Sequence, residues 1–170
     1  MYLLKILKTL VENIMKYKIY CDMDGVITDF DKRFKQYTNM TPNDYKLKYS
    51  TPMFYDFINN KGIEFWISIP WMLDGKKLWR YIKKYKPTLI SVPTYENSSF
   101  LGKKMWVENN IPNTPLILVS RKDKQNYAGS DTILIDDRAD TIDEWNKKGG
   151  KGILFISTEQ TINELKMLKL

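Results

Sequence analysis

The stretch KIYCDMDGVITDF, residues 18–30, decides how the rest of the chain is read. Ile19, Tyr20 and Cys21 form an apolar run short enough for a buried strand, and two carboxylates, Asp22 and Asp24, follow at once. A buried strand does not end in ionised groups unless something offsets their charge, because a desolvated carboxylate is costly. Either these acids lie in a solvated turn, which the Asp-Met-Asp-Gly sequence suits, or they hold a cation.

Composition narrows the chemistry. At 170 residues, 43% hydrophobic and 14% aromatic, the chain suits one folded domain with room for a small subdomain. It contains no histidine, so zinc sites built on imidazole, Ser-His dyads and histidine phosphocarriers are all excluded. Acid–base work falls to Asp, Glu, Lys or Tyr. The single cysteine, Cys21, forbids an internal disulfide, fits a reducing, cytoplasmic setting and reads as a buried core thiol. A net charge of +7 favours anionic partners such as nucleotides, although the lysines are dispersed in the manner of a solvated surface.

Residues 1–16 carry apolar side chains at 3, 4, 6, 7, 10, 11, 14 and 15, the spacing of an amphipathic helix. The run is too short and too often broken by charge to span a bilayer, and no small-residue cleavage site follows. It is expected to pack on its own domain or on a second copy, which leaves a homodimer open.

After the first strand, residues 29–69 show no strand pattern but aromatic-rich helical pieces over 29–39, 41–50, 51–60 and 62–69. Thr41-Pro42 and Thr51-Pro52 read as helix starts, with threonine capping and proline in the first turn. A helix over 74–85 follows. From there strands and helices alternate: strands at 87–92, 115–120, 131–136 and 152–156, helices at 98–110, 137–150 and 157–170. That alternation predicts an α/β fold with a parallel sheet covered by helices on both faces and its sites at the strands' C-terminal edge. The KKGGKG run at 147–152 lacks phosphate-loop spacing and reads as a turn.

At that edge stand Asp22 and Asp24 after the first strand, Ser91 near the end of the second, Arg121, Lys122 and Lys124 beyond the third, and Asp136-Asp137 at the fourth. Carboxylates from separate strands can share a hard divalent cation while serine and lysine hold phosphoryl oxygens. Asp137 also suits the start of the following helix as an N-cap.

Four such elements in this order resemble the haloacid dehalogenase (HAD) superfamily of phosphotransferases, with a Rossmann-like core. Its first motif is similar to Asp22-Met23-Asp24-Gly25-Val26, its second to Ser91, its third to Lys124 with Lys122 as competitor, and its fourth to Asp136-Asp137. DMDGVITDF, GKKMWV and LIDDRAD further resemble the 5′(3′)-deoxyribonucleotidases over roughly residues 17–155. Val92 departs from relatives that carry a phosphate-binding hydroxyl there.

The resemblance implies a core of residues 17–30 and 70–170, with a small helical cap over 31–69 inserted after the first strand. It also implies an Mg2+-dependent phosphomonoesterase acting on (deoxy)nucleoside 5′-monophosphates. Asp22 would be the nucleophile that forms an aspartyl-phosphate, and Asp24 the general acid–base. Magnesium would be held by Asp22, the Asp24 backbone carbonyl and Asp136, with Asp137 behind them. Ser91 and Lys124 would bind the phosphate, and Gly25 would leave room for its approach. Phe30, Phe65, Trp66 and Arg121 are candidates for substrate contact, against a core-packing reading for the three aromatics. The partner expected is a small-molecule nucleotide, with no stable nucleic-acid partner. Phosphatases for other small phosphomonoesters or nucleic-acid ends, and a non-enzymatic interaction protein on the same scaffold, remain as alternatives.

Overall fold

The sheet is built from β1 (Lys18–Cys21), β2 (Thr88–Ser91), β3 (Leu116–Leu118), β4 (Thr132–Asp136) and β5 (Lys151–Leu154). All are parallel and lie in the order β3-β2-β1-β4-β5. These positions belong to a computed structural model that describes residues 17–170; the amphipathic helix expected over 1–16 lies outside them. β2 and β4 are buried along their whole length, as a parallel sheet covered on both faces requires.

Alternation along each strand sorts the core into two layers. Ile19, Cys21, Leu89, Ile133 and Ile135 point into one cluster, whereas Tyr20, Ile90 and Leu134 point into another with Ile142 and Trp145. The second cluster is closed by α6 (Ala139–Lys147). The first is larger. It takes Leu78 and Ile82 from α4 (Gly75–Ile82), Trp106 and Val107 from α5 (Asn97–Asn110), and Ile162 and Leu165 from α7 (Thr158–Met167). It also takes Phe34 from α1 (Phe30–Thr38), and Phe54, Ile58, Phe65 and Trp66 from α3 (Thr51–Ile67). The short α2 (Pro42–Lys48) joins those two helices.

The helical segment leaves and rejoins the sheet region at one place. Asp29 N–H donates to Pro70 O at 2.8 Å, and Met72 N–H donates to Ile27 O at 2.8 Å. Beneath that junction the loop after β1 is wound tightly, with the N–H groups of Ile27 and Thr28 both reaching Met23 O at 2.8 Å. The two acids are thus carried on a stiff turn.

Two local expectations are corrected and one is met. Thr41 does cap α2, accepting from Asp44 N, but α3 is capped by Ser50, whose Oγ accepts from Met53 N at 3.3 Å. Proline is tolerated anywhere in the first turn, so the serine one residue earlier takes the capping place from Thr51. The helices expected over 51–60 and 62–69 are both present within α3, separated by a kink at Gly62, whose φ of 62° and ψ of −154° only glycine adopts readily. Asp137 does not cap α6: Arg138 occupies that position without a side-chain bond, and its N–H is taken by Asp136 Oδ1 at 3.0 Å. Asp136 performs the turn that Asp137 was expected to make.

Candidate active site

Strand order reverses between β1 and β4, and the crevice above their C-terminal ends is where ligands bind in open α/β sheets. Asp22 stands there, its N–H continuing the ladder to Ile135 O at 2.8 Å. Asp136 closes β4 beside it, and Ser91 closes β2 on the other flank.

Lys124 joins the two acids. Its ammonium lies 2.7 Å from Asp136 Oδ2 and 3.0 Å from Asp22 Oδ1, and the lysine is 1% exposed. Lys122 is exposed, so of the two lysines it is Lys124 that lies among these acids. Burial works against the charged form of Lys124, but Asp22 and Asp136 outweigh it and hold the ammonium above the ordinary lysine range. Asp22 moves the other way: burial pushes its carboxyl up to about 7, against the pull of Lys124 and with repulsion from Asp136 and Asp24. One buried cation does not neutralise this many acids.

The imbalance and an open acceptor mark a place for a second cation. Asp22 Oδ1 is buried without a hydrogen-bond partner, because Lys124 is near enough to supply charge but not aligned to donate. One carboxylate oxygen each from Asp22, Asp136 and Asp137 lie within 4.8 Å of one another. Burial and the neighbouring Asp136 raise the Asp137 carboxyl to about 6. Hard oxygen donors in excess of positive charge are the donor set a magnesium ion takes. Asp137, expected behind the ligands, has a carboxylate oxygen within this group. Gly25 makes that possible: its φ is +84°, and a Cβ there would lie 2.2 Å from Asp137 Oδ2. Gly25 also lines the cavity that opens over Asp22.

Asp24 turns away from the acidic group. Thr28 Oγ1 donates to its Oδ1 at 2.8 Å, and Lys103 Nζ donates to its Oδ2. Lys103 also reaches Ser91 Oγ at 3.0 Å. Lys103 was not singled out from the sequence, although a signal exists. The buried positions of α5 are Ser99, Gly102, Lys103, Trp106 and Val107, a helical stripe in which one lysine interrupts small and apolar residues.

A cavity of about 710 Å3 opens above Asp22, Asp24, Ser91 and Lys124, and its wall includes Phe30, Tyr55, Lys46 and Arg121. A neighbouring cavity of about 790 Å3 shares Phe30, Phe54, Tyr55 and Arg121 and adds Trp66, Tyr95 and Phe100. Phe30 and Arg121 line both cavities, whereas Trp66, 3% exposed, lines only the second. Arg121 is held from behind by both carboxylate oxygens of Glu144 at 3.1 Å. Phe65 is a correction: it is fully buried, packed edge-on against Phe30 and Trp66, and lines neither cavity. Tyr55 and Tyr95 had no motif to mark them. A larger cavity, about 920 Å3, lies near the opposite edge between Pro87, Pro115 and Trp79, away from the acids. Size alone does not identify the site.

No family model and no curated protein matches the sequence. Solved structures do match in shape. The crystal structure of a hydrolase from Streptococcus pneumoniae TIGR4 aligns at 18% identity with a TM-score of 0.51, covering 92% of this chain and 100% of that one. That of a predicted phosphatase from Clostridium acetobutylicum aligns at 14% identity with a TM-score of 0.55, covering 91% and 99%. The chain has the Rossmann-like α/β fold of these proteins. Among the described residues no helix is long and apolar enough to cross a membrane.

Proposed function

We propose that the chain is a magnesium-dependent phosphomonoesterase of the HAD type that dephosphorylates (deoxy)nucleoside 5′-monophosphates. The observation that carries the reading is the Asp22–Lys124–Asp136 group at the strand-order reversal, with Asp24 and Ser91 beside it. The expected first, second, third and fourth motifs meet there in space, and two solved structures of the same shape are described as a hydrolase and a predicted phosphatase.

Asp22 is the nucleophile. A carboxylate oxygen attacks phosphorus in line, the new P–O bond forms as the bond to the sugar oxygen breaks, and the product is an aspartyl-phosphate. Asp24 gives a proton to the departing sugar oxygen. It then takes one from the water that attacks the same phosphorus and frees Asp22. Ser91 and Lys124 bind phosphoryl oxygens as charge spreads over them. Magnesium held by Asp22, Asp136 and Asp137 would supply charge neutralisation between the anionic nucleophile and the anionic phosphate.

The aromatic wall supports a nucleoside leaving group. Phe30, Phe54 and Tyr55 border both the phosphate end and the adjoining cavity, where Trp66, Tyr95 and Phe100 offer further planar surface to a base. Phosphate release from nucleotides, sugar phosphates and end-phosphorylated oligonucleotides, with and without magnesium, tests the proposal. The expected result is magnesium-dependent release with nucleoside monophosphates preferred. Absence of release from every substrate would overturn it.

A further inference from the structure

Lys103 is a charged side chain in a place built for an apolar one. It is 1% exposed, lies between Gly102 and Trp106 on the inward stripe of α5, and costs free energy there unless its charge and donors are met. They are met completely. An ammonium has three donors, and Lys103 Nζ has three partners: Asp24 Oδ2, Ser91 Oγ at 3.0 Å, and the face of Trp66 with its centroid at 5.0 Å. Gly102 lets α5 come this close, since a Cβ there would lie 2.3 Å from Trp66 Cβ.

We propose that Lys103 is a positioning residue that aims Asp24 at the phosphoester, an assignment that rests on the phosphatase reading above. With Thr28 on Oδ1 and Lys103 on Oδ2, the plane of the Asp24 carboxyl is fixed from two sides. Its side chain is still 26% exposed, so the carboxyl remains reachable from the cleft. Ser91 Oγ accepts from Lys103, so its own O–H is directed elsewhere, and the cleft is where a phosphate would receive it. Two of the Lys103 donors are thus spent on Asp24 and Ser91, and its charge lies over the Trp66 ring. Its effect on rate passes through the groups it holds.

That role has a signature that packing lacks. An alkyl leaving group needs the proton Asp24 delivers, whereas p-nitrophenolate departs without one. The test compares kcat/KM of wild type, Lys103→Met and Lys103→Gln on a nucleoside 5′-monophosphate and on p-nitrophenyl phosphate. General acid catalysis contributes roughly 10²–10⁴-fold, so K103M is expected to lose on that order with the nucleotide and less than about tenfold with p-nitrophenyl phosphate. K103Q, which keeps two donors, should recover part of the loss. Equal losses on both substrates would overturn the inference and leave the phosphatase reading standing. So would failure of both variants to fold, which would mark Lys103 as a stability element. Inactive wild type on both substrates would overturn the function and this inference together.

Discussion

Lys124 and Asp136 lie 2.7 Å apart with both side chains sealed from solvent, and the same ammonium is the cation nearest the orphaned oxygen of Asp22. One lysine therefore restrains the repulsion between acids that end two neighbouring strands. Removing one partner of a buried ion pair leaves the other uncompensated, at about 3 to 5 kcal/mol. Lys124→Met is expected to lower unfolding free energy in urea by that order and to remove phosphate release. Added magnesium should restore part of the stability but not the activity, because the metal offsets the acids without binding the phosphate from the lysine's side.

Asp22 shows the opposite balance. Its carboxyl is raised from 3.8 to about 7 by burial first, so the folded state prefers it protonated. Asp22→Asn supplies a neutral side chain of the same shape. It should abolish turnover while raising the metal-free unfolding midpoint at pH 8, measured by thermal denaturation. Near-normal turnover in this variant would exclude the nucleophile assignment.

The same shift fixes a pH dependence. Between 3.8 and about 7 the folded protein keeps a proton on Asp22 that the unfolded chain has released. The unfolded state binds fewer protons, so stability falls as pH rises through this window, by at most about 1.4 kcal/mol per pH unit for one group. Asp137, raised to about 6, adds to the fall below that pH. A divalent cation favours the ionised acids. The rise in melting temperature on adding magnesium should therefore be small at pH 5 and grow toward pH 8. A rise independent of pH would place the metal elsewhere.

Gly25 and Gly62 separate strain from function. Both have positive φ, 84° and 62°, so an alanine is strained at either. Only at Gly25 does the added Cβ meet a carboxylate, Asp137 Oδ2 at 2.2 Å; around Gly62 nothing lies within 4 Å. Gly62→Ala should cost about 1 to 3 kcal/mol and leave the magnesium requirement unchanged. Gly25→Ala should also raise the magnesium concentration needed for half-maximal activity, because it displaces Asp137.

The residues that stood out in sequence, and that the fold brings to one edge of the sheet, are those whose type conflicts with a buried strand end: Asp22, Asp24, Ser91 and Asp136. Strand–helix alternation was equally visible, because parallel strands buried on both faces give unbroken apolar runs such as 133–135. Lys103 was hidden because it stands beside a second lysine on α5, Lys104, which is exposed, and only three-dimensional packing tells which one turns inward. Phe30 stood out in sequence because it closely follows the first motif, but the burial of Phe65 was not legible, since both rings belong to one aromatic cluster and only one edge of it meets the cleft. The capping role of Asp137 failed for a related reason. Asp136 is drawn both to Lys124 and to the Arg138 N–H, and the chain turns one residue earlier than the acidic pair suggests.

That edge yields the prediction that bears on substrate. Tyr55 is 44% exposed and lines both cavities, whereas Phe65 is fully buried beneath Phe30. Phe65→Ala removes a packed ring and should cost about 3 to 5 kcal/mol of stability, lowering activity on every phosphomonoester alike once unfolded protein is accounted for. Tyr55→Ala removes a planar surface from the cleft and little from the core. Stacking on an aromatic contributes about 1 to 3 kcal/mol per base, so kcat/KM for a nucleoside monophosphate should fall by that equivalent through KM. The same ratio for a phosphoester without a base should stay near wild type. Equal KM for both substrates in wild type and Y55A would show that no base rests on this wall.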